Sequence, residues 1–155
     1  KKIYLILHNI RSVQNVGAIF RTADAVGISK IYLTGFSPTP LDRFGRERKD
    51  FIKTALGAQR SVEWEYVKTV NPVINKLKKN NIEVFAVEQD KKAVDYKKIK
   101  IKKDSAFIFG NEVKGLSKAL LDKSDKIAQI KMLGEKESLN VSVTAGIFLF
   151  RVLGV

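Results

Sequence analysis

The chain of 155 residues contains no cysteine. Disulfides, thiolate zinc sites and thiol nucleophiles are therefore excluded. It has a single histidine, His8. A metal site would have to combine that imidazole with carboxylates alone, so no structural metal is expected. A Ser-His-Asp triad would also depend on His8, and no nucleophile-elbow pattern accompanies it. No apolar run is long enough to span a bilayer. Lys1 and Lys2 lead into a short strand-like run, Ile3–Leu7, with polar residues after it, which does not read as a signal peptide. A cytoplasmic location is the expectation. The chain opens on Lys, not Met, so a few further residues are expected before it. Neither a G-x-G-x-x-G fingerprint nor a Walker A sequence is present, and dinucleotide and P-loop folds lose support with them.

Acidic residues are also scarce. Asp plus Glu is 16 against 29 for Lys plus Arg, a formal net charge of +13. Such an excess suits a polyanionic partner whose binding weakens steeply with salt. A basic, solvated surface would account for the same composition. The hydrophobic content, 45%, is ordinary for a soluble globular protein, and the length suits one domain with one sizeable core.

Apolar, β-branched runs recur at Ile3–Leu7, Ile31–Leu33, Val62–Val67, Val84–Val87, Ala106–Phe109 and Ile127–Ile130. Several are continuous instead of alternating, as strands buried on both faces should be. Between them lie helical spacings: Val16, Ile19, Phe20, Ala23 and Val26, stopped by Gly27; Val70, Val73, Ile74 and Leu77; and Val141, Ala145, Phe148, Leu149 and Val152, closed by Gly154. Six strands alternating with helices predict an α/β domain with a mostly parallel sheet. Two stretches read as basic loops. One runs from Gly35 to about Asp50 and holds Arg43, Arg46, Arg48 and Lys49; the other is the Lys-rich Asp90–Lys103. Basic loops on a rigid sheet suit phosphate contacts, though simple solvation explains them too, and better for the second.

Three segments are unusual for scaffold. In Asn15-Val16-Gly17-Ala18-Ile19-Phe20-Arg21, the small Gly17 and Ala18 precede Arg21 by about one helical turn, leaving room for another backbone to approach. An Asn helix cap followed by a surface Arg is the plainer reading. In Phe107-Ile108-Phe109-Gly110-Asn111-Glu112-Val113-Lys114-Gly115-Leu116-Ser117, a buried strand runs into a glycine-flanked turn. That turn would put Glu112 at the carboxyl edge of the sheet, where open α/β folds bind ligands. A tight turn with a solvated Glu fits equally. In Ile130-Lys131-Met132-Leu133-Gly134-Glu135-Lys136-Glu137-Ser138-Leu139-Asn140-Val141, a strand end and a loop lead to Ser-Leu-Asn at the start of the last helix. Ser138 or Asn140 suits a helix cap there, and the pair around Leu139 also suits a small-molecule pocket.

In combination and in order, these segments resemble the three motifs of the SpoU (TrmH-like) family, in the SPOUT superfamily of RNA methyltransferases. The resemblance covers nearly the whole chain. It implies an α/β fold whose C-terminal part forms a trefoil knot, a feature general folding rules would not suggest. It also implies S-adenosyl-L-methionine as cofactor, held by backbone at Gly110, Ile130 and Leu139, with Met132 and Gly134 in the same wall. The implied reaction is methyl transfer to a ribose 2′-hydroxyl of tRNA or rRNA. Asn15, Arg21, Glu112, Ser138 and Asn140 are the implied polar constellation. Arg21 is the family's key catalytic residue and has been assigned the role of base. Because a guanidinium normally stays protonated, binding a phosphate and holding the hydroxyl in line is the simpler role. A homodimer is implied, with the active site near its interface, and the apolar stripe of the last helix serves either that interface or the core. Thr144 departs from the Ala of many relatives. The competing readings are a catalytically silent RNA-binding module of the same fold and a base-methylating branch of the superfamily. Intact polar residues argue against the first, and Ser138-Leu139-Asn140 argues against the second.

Overall fold

The strands assemble because their apolar residues need cover on both faces. In the computed structural model, which describes residues 1–155, β1 (Ile3–His8), β2 (Lys30–Thr34), β3 (Trp64–Val67), β4 (Glu83–Val87), β5 (Val94–Asp95), β6 (Ser105–Phe109) and β7 (Lys126–Gln129) form one sheet. Its order is β3-β2-β1-β6-β4-β7-β5. Every pairing is parallel.

The sheet thus has seven strands, not the six expected. The addition is the two-residue β5, inside the stretch read as a Lys-rich loop. It pairs with β7 alone and is followed by a 3-10 turn at Tyr96–Lys98, in which the Asp95 side chain accepts from Lys97 N. Val62 lies outside β3, in an extended cap of the preceding helix, and Ile130 lies just beyond β7.

Alternation along the strands builds two cores. Leu5, Leu7, Phe85, Phe107 and Phe109 face one side, where they pack with α1 (Val13–Val26), α2 (Lys49–Ala55), α3 (Ala58–Ser61) and α6 (Val141–Leu153). Ile6, Tyr32, Val84, Ala86 and Ile108 face the other side, covered by α4 (Asn71–Lys79) and α5 (Lys118–Lys123). Short α2 and α5 lie in stretches where no helix was expected; each begins without a long apolar stripe, burying only Phe51 and Ala55, and Leu120, respectively.

Two packing details position the functional edge. A Cβ on Gly17 would overlap the Thr54 side chain and come within 3.2 Å of the Ala55 backbone nitrogen, so the glycine does admit a second backbone, that of α2. Phe148 of α6 meets Phe107 edge-on at 5.1 Å and Phe109 at 6.1 Å, which seats the last helix on the central strand β6. Helix α6 divides its apolar residues. Val141, Ala145, Phe148 and Leu149 are buried, while Val143, Ile147 and Phe150 are 47%, 40% and 41% exposed on the outer side.

Candidate active site

Parallel strands bring all their carboxyl ends to one edge, and the three unusual segments meet there. The turn after β6 is built first. A Cβ on Gly110 would strike Leu116 and the Gly115 carbonyl carbon. Gly115 has φ +64°, and a Cβ there would overlap the Glu88 carboxylate. Asn111 holds the turn from inside: its Oδ1 accepts from Val113 N at 3.0 Å and Lys114 N at 2.8 Å. Its Nδ2 donates to Asn9 O at 2.9 Å. Glu88, at the end of β4, accepts from Leu116 N at 2.9 Å and fastens the far side.

Glu112, carried on that turn, is not a solvated carboxylate. Its Oε1 accepts from Arg11 N at 3.0 Å, and its Oε2 accepts from Ser12 N at 2.9 Å and Asn15 Nδ2 at 3.2 Å. Partial burial alone would raise its pKa, but these donors outweigh burial and hold it below the usual carboxylate range. The run continues across the chain. Asn140 Nδ2 donates to Asn15 Oδ1 at 3.1 Å. Asn140 also caps α6, its Oδ1 accepting from Ser142 N at 2.9 Å and Val143 N at 3.3 Å. The cap of α1 is Ser12, not Asn15, so the Asn15 amide is free to relay between Glu112 and Asn140.

Beside this run lies a cavity of about 350 Å³ at the ends of β4, β6 and β7. Of the residues expected to hold a cofactor, Gly110, Ile130, Met132 and Leu139 line it, joined by Glu112 and Ser138. Gly134 does not line it; the residue is exposed, and a Cβ added there would meet nothing. Arg21 stands apart within the chain: exposed, outside the cavity lining and in none of the chain's ion pairs. Sequence reasoning missed Glu88, Gln89 and Gln129, all in the cavity wall. Gln89 Nε2 donates to Ile130 O at 2.6 Å, and Gln129 Oε1 accepts from Asp90 N at 3.3 Å. Their only signal is their place at the carboxyl ends of β4 and β7. Thr144 also lines the cavity, so the departure noted in the sequence falls on the site. His8, at the end of β1, pairs Nδ1 with Thr34 Oγ1 at 2.9 Å, and burial lowers its pKa.

The volume falls in the ~300–1,000 Å³ range of small-molecule sites. An open parallel α/β sheet with a ligand cavity at its carboxyl edge and a fixed carboxylate–carboxamide run beside it defines an α/β protein with an enzyme-like site. The sequence model of the SpoU rRNA Methylase family matches residues 2–150, and the chain belongs to that family. It is 36% identical over 149 residues to an uncharacterized tRNA/rRNA methyltransferase of Borreliella burgdorferi, covering 96% of this chain and 62% of that protein. It is 29% identical over 153 residues to a tRNA (guanosine(18)-2'-O)-methyltransferase of Aquifex aeolicus, covering 97% of this chain and 68% of that one. Among solved structures, it is similar to an AdoMet-bound rRNA methyltransferase from Sinorhizobium meliloti, with a TM-score of 0.85, 27% identity and coverage of 97% of this chain and 55% of the other. The chain thus spans about three fifths of the length of the Borreliella relative.

Proposed function

We propose that the chain transfers a methyl group from S-adenosyl-L-methionine to a ribose 2′-hydroxyl of tRNA or rRNA. The observation that carries the reading is the hydrogen-bonded run Glu112–Asn15–Asn140, which joins all three motif segments beside a cavity of cofactor size. The Aquifex relative is named for 2′-O-methylation and the Sinorhizobium structure holds AdoMet, which support the chemistry by likeness.

Residues present in the cavity fit the cofactor. Gly110, Ile130 and Leu139 offer backbone groups among mixed apolar and polar side chains, and the Ile130 carbonyl keeps a second lone pair beside its bond from Gln89. The cofactor would supply a methyl group on an already electrophilic sulfonium. The protein must align the hydroxyl and ease its deprotonation. Glu112 has both oxygens engaged by donors, so its task is to fix Arg11, Ser12 and Asn15 rather than to take a proton. Arg21, exposed and unpaired, is free to bind the phosphate beside the target ribose and hold the hydroxyl in line. Ser138 and Asn140 shape the loop that closes the cavity.

Two structural expectations belong to the same proposal. The placement of β7 between β4 and β5, although it follows both in sequence, supports a knotted C-terminal part. The exposed Val143, Ile147 and Phe150 support a homodimer through α6, which would bring a second copy beside the Asn140 end of the site.

The test is incubation of the protein with labelled S-adenosyl-L-methionine and total tRNA or rRNA, then nucleoside digestion. A 2′-O-methylated nucleoside is the expected product. A base-methylated nucleoside would refute the ribose assignment. Calorimetry showing no binding of S-adenosyl-L-methionine or S-adenosylhomocysteine, with RNA still bound, would replace the enzyme by a silent RNA-binding module.

A further inference from the structure

The segment Leu41-Asp42-Arg43-Phe44-Gly45-Arg46-Glu47 has no part in the cavity or in the polar run. It belongs to the basic loop after β2, and within that loop its backbone closes into a small hairpin. Leu41 and Glu47 form an antiparallel bridge. Asp42 N donates to Arg46 O at 2.7 Å, and Gly45 N donates to Asp42 O at 3.0 Å, with Gly45 turning the tip at φ +77°. The Asp42 carboxylate accepts from Phe44 N at 2.8 Å and Arg46 N at 2.9 Å. Charges at the stem are already matched: Arg60 grips Glu47 through two bonds of 2.7 Å, and Arg48 meets Asp50 at 2.8 Å.

This construction leaves a particular surface at the apex. The Phe44 ring is 62% exposed. The guanidinium carbons of Arg43 and Arg46 lie 4.8 and 5.0 Å from its centroid. A single exposed phenylalanine is common on protein surfaces. A structured tip that packs one beneath two guanidinium groups is a different matter, because a splayed nucleotide can use the same parts: its base takes the ring face as the guanidinium groups swing out to its phosphates.

Its location agrees. The hairpin follows β2, two strand positions from β6, and in a parallel sheet both ends lie on the same edge, about 10 Å apart at the strand spacing. One residue ties the two loops together: Asn9 Oδ1 accepts from Phe36 N at 3.1 Å, and Asn9 O accepts from Asn111 Nδ2 at 2.9 Å. The start of the connection that leads to the hairpin is therefore tied to the turn that carries Glu112.

We propose that the Leu41–Glu47 hairpin is an RNA subsite in which Phe44 stacks on an unpaired base near the target nucleotide while Arg43 and Arg46 contact its phosphates. The proposal rests on the reading of the neighbouring site as an RNA methyltransferase centre. The test uses the full chain and three variants, Phe44→Ala, Phe44→Leu and Phe44→Trp. The probes are a short fluorescein-labelled oligo(U) and a blunt RNA duplex of equal length. Phe44→Ala and Phe44→Leu should bind the single strand roughly tenfold more weakly, with little change for the duplex, whose bases are not available to stack. Phe44→Trp should bind as the wild type does. Its emission, measured against a wild type whose only tryptophan is Trp64, should be quenched by oligo(U). Wild-type affinity in Phe44→Ala, full retention in Phe44→Leu, or an unquenched Phe44→Trp would each overturn the stacking. The two readings fail separately. Loss of cofactor binding and methyl transfer with these RNA effects intact would remove the enzyme and keep the subsite. Normal methyl transfer to RNA with Phe44→Ala indistinguishable from wild type would do the reverse.

Discussion

Asn140 and Asn15, 125 positions apart, are joined by a directional hydrogen bond between their side-chain amides: Asn140 Nδ2 donates to Asn15 Oδ1 at 3.1 Å. The direction is set elsewhere, because Asn15 must turn its own Nδ2 toward Glu112. A carboxylate at position 140 would keep the helix cap, yet it would face the Asn15 carbonyl and lack the donor. Asn140→Asp is therefore expected to melt near the wild-type temperature and to lose methyl transfer by tenfold or more. Asn140→Ala should lose activity and also about 1 kcal/mol of stability, the usual cost of a missing cap. Thermal melts beside methyl-transfer rates separate the two roles, and an active Asn140→Asp would show that the relay is dispensable.

Glu112 supplies a pH test. Its folded pKa is depressed, so its contribution to stability is present above the ordinary glutamate pKa and is lost as pH falls through the lowered value. Glu112→Gln turns an amide donor toward either the Arg11 or the Ser12 N–H group and should cost on the order of 1–3 kcal/mol near neutrality. Denaturant midpoints of the wild type and the variant should converge as the solution is acidified below the carboxylate range. A constant gap down to strongly acid pH would contradict the assignment.

Arg21 is assigned to the RNA end of the site. Arg21→Ala should abolish methyl transfer while leaving calorimetric binding of S-adenosyl-L-methionine unchanged. Arg21→Lys should recover little, since a point charge does not reproduce the planar fork of donors. Near-normal turnover in Arg21→Ala would show that the residue is only a solvated surface group.

The outer stripe of α6 predicts its own outcome. Ile147→Asp puts a charge on the face shared with Val143 and Phe150 without touching the buried Phe148 and Leu149. The variant should fold normally, elute as a monomer in size-exclusion chromatography with light scattering, and lose most methyl transfer. A wild type that is itself monomeric at micromolar concentration would remove the basis for this expectation.

The long elements were readable in the sequence because burial on both faces demands continuous apolar runs, as in Ala106–Phe109, all of it buried. The capping signals Gly27 and Gly154 were readable for the same kind of reason: both adopt the left-handed conformation at helix ends. Short elements left no such trace. β5 consists of Val94 and Asp95, held by two neighbours in β7, and no periodicity can be seen in a pair. Helix α2 follows Arg48, which makes no side-chain cap. At the site, Glu112 and Asn140 were found through their motifs. Glu88 was not, because its purpose is set by Leu116, 28 positions later, and only the folded chain brings the two together. Gly134 carried the opposite lesson. It sits within a motif-like loop, yet no neighbour requires it to be a glycine.

The sheet order also has a consequence for synthesis. A chain emerging from its N-terminus makes β4 and β5 long before β7, yet β7 is the only strand that links them. Until Gln129 has been released, β4 is the border of the sheet and β5 has no strand to pair with. The two-residue β5 is then the last strand to join, through long-range contacts that slow completion. The edge that carries the candidate site draws Ile130, Ser138 and Asn140 from the segment that follows, so it comes together only after β7 has been made.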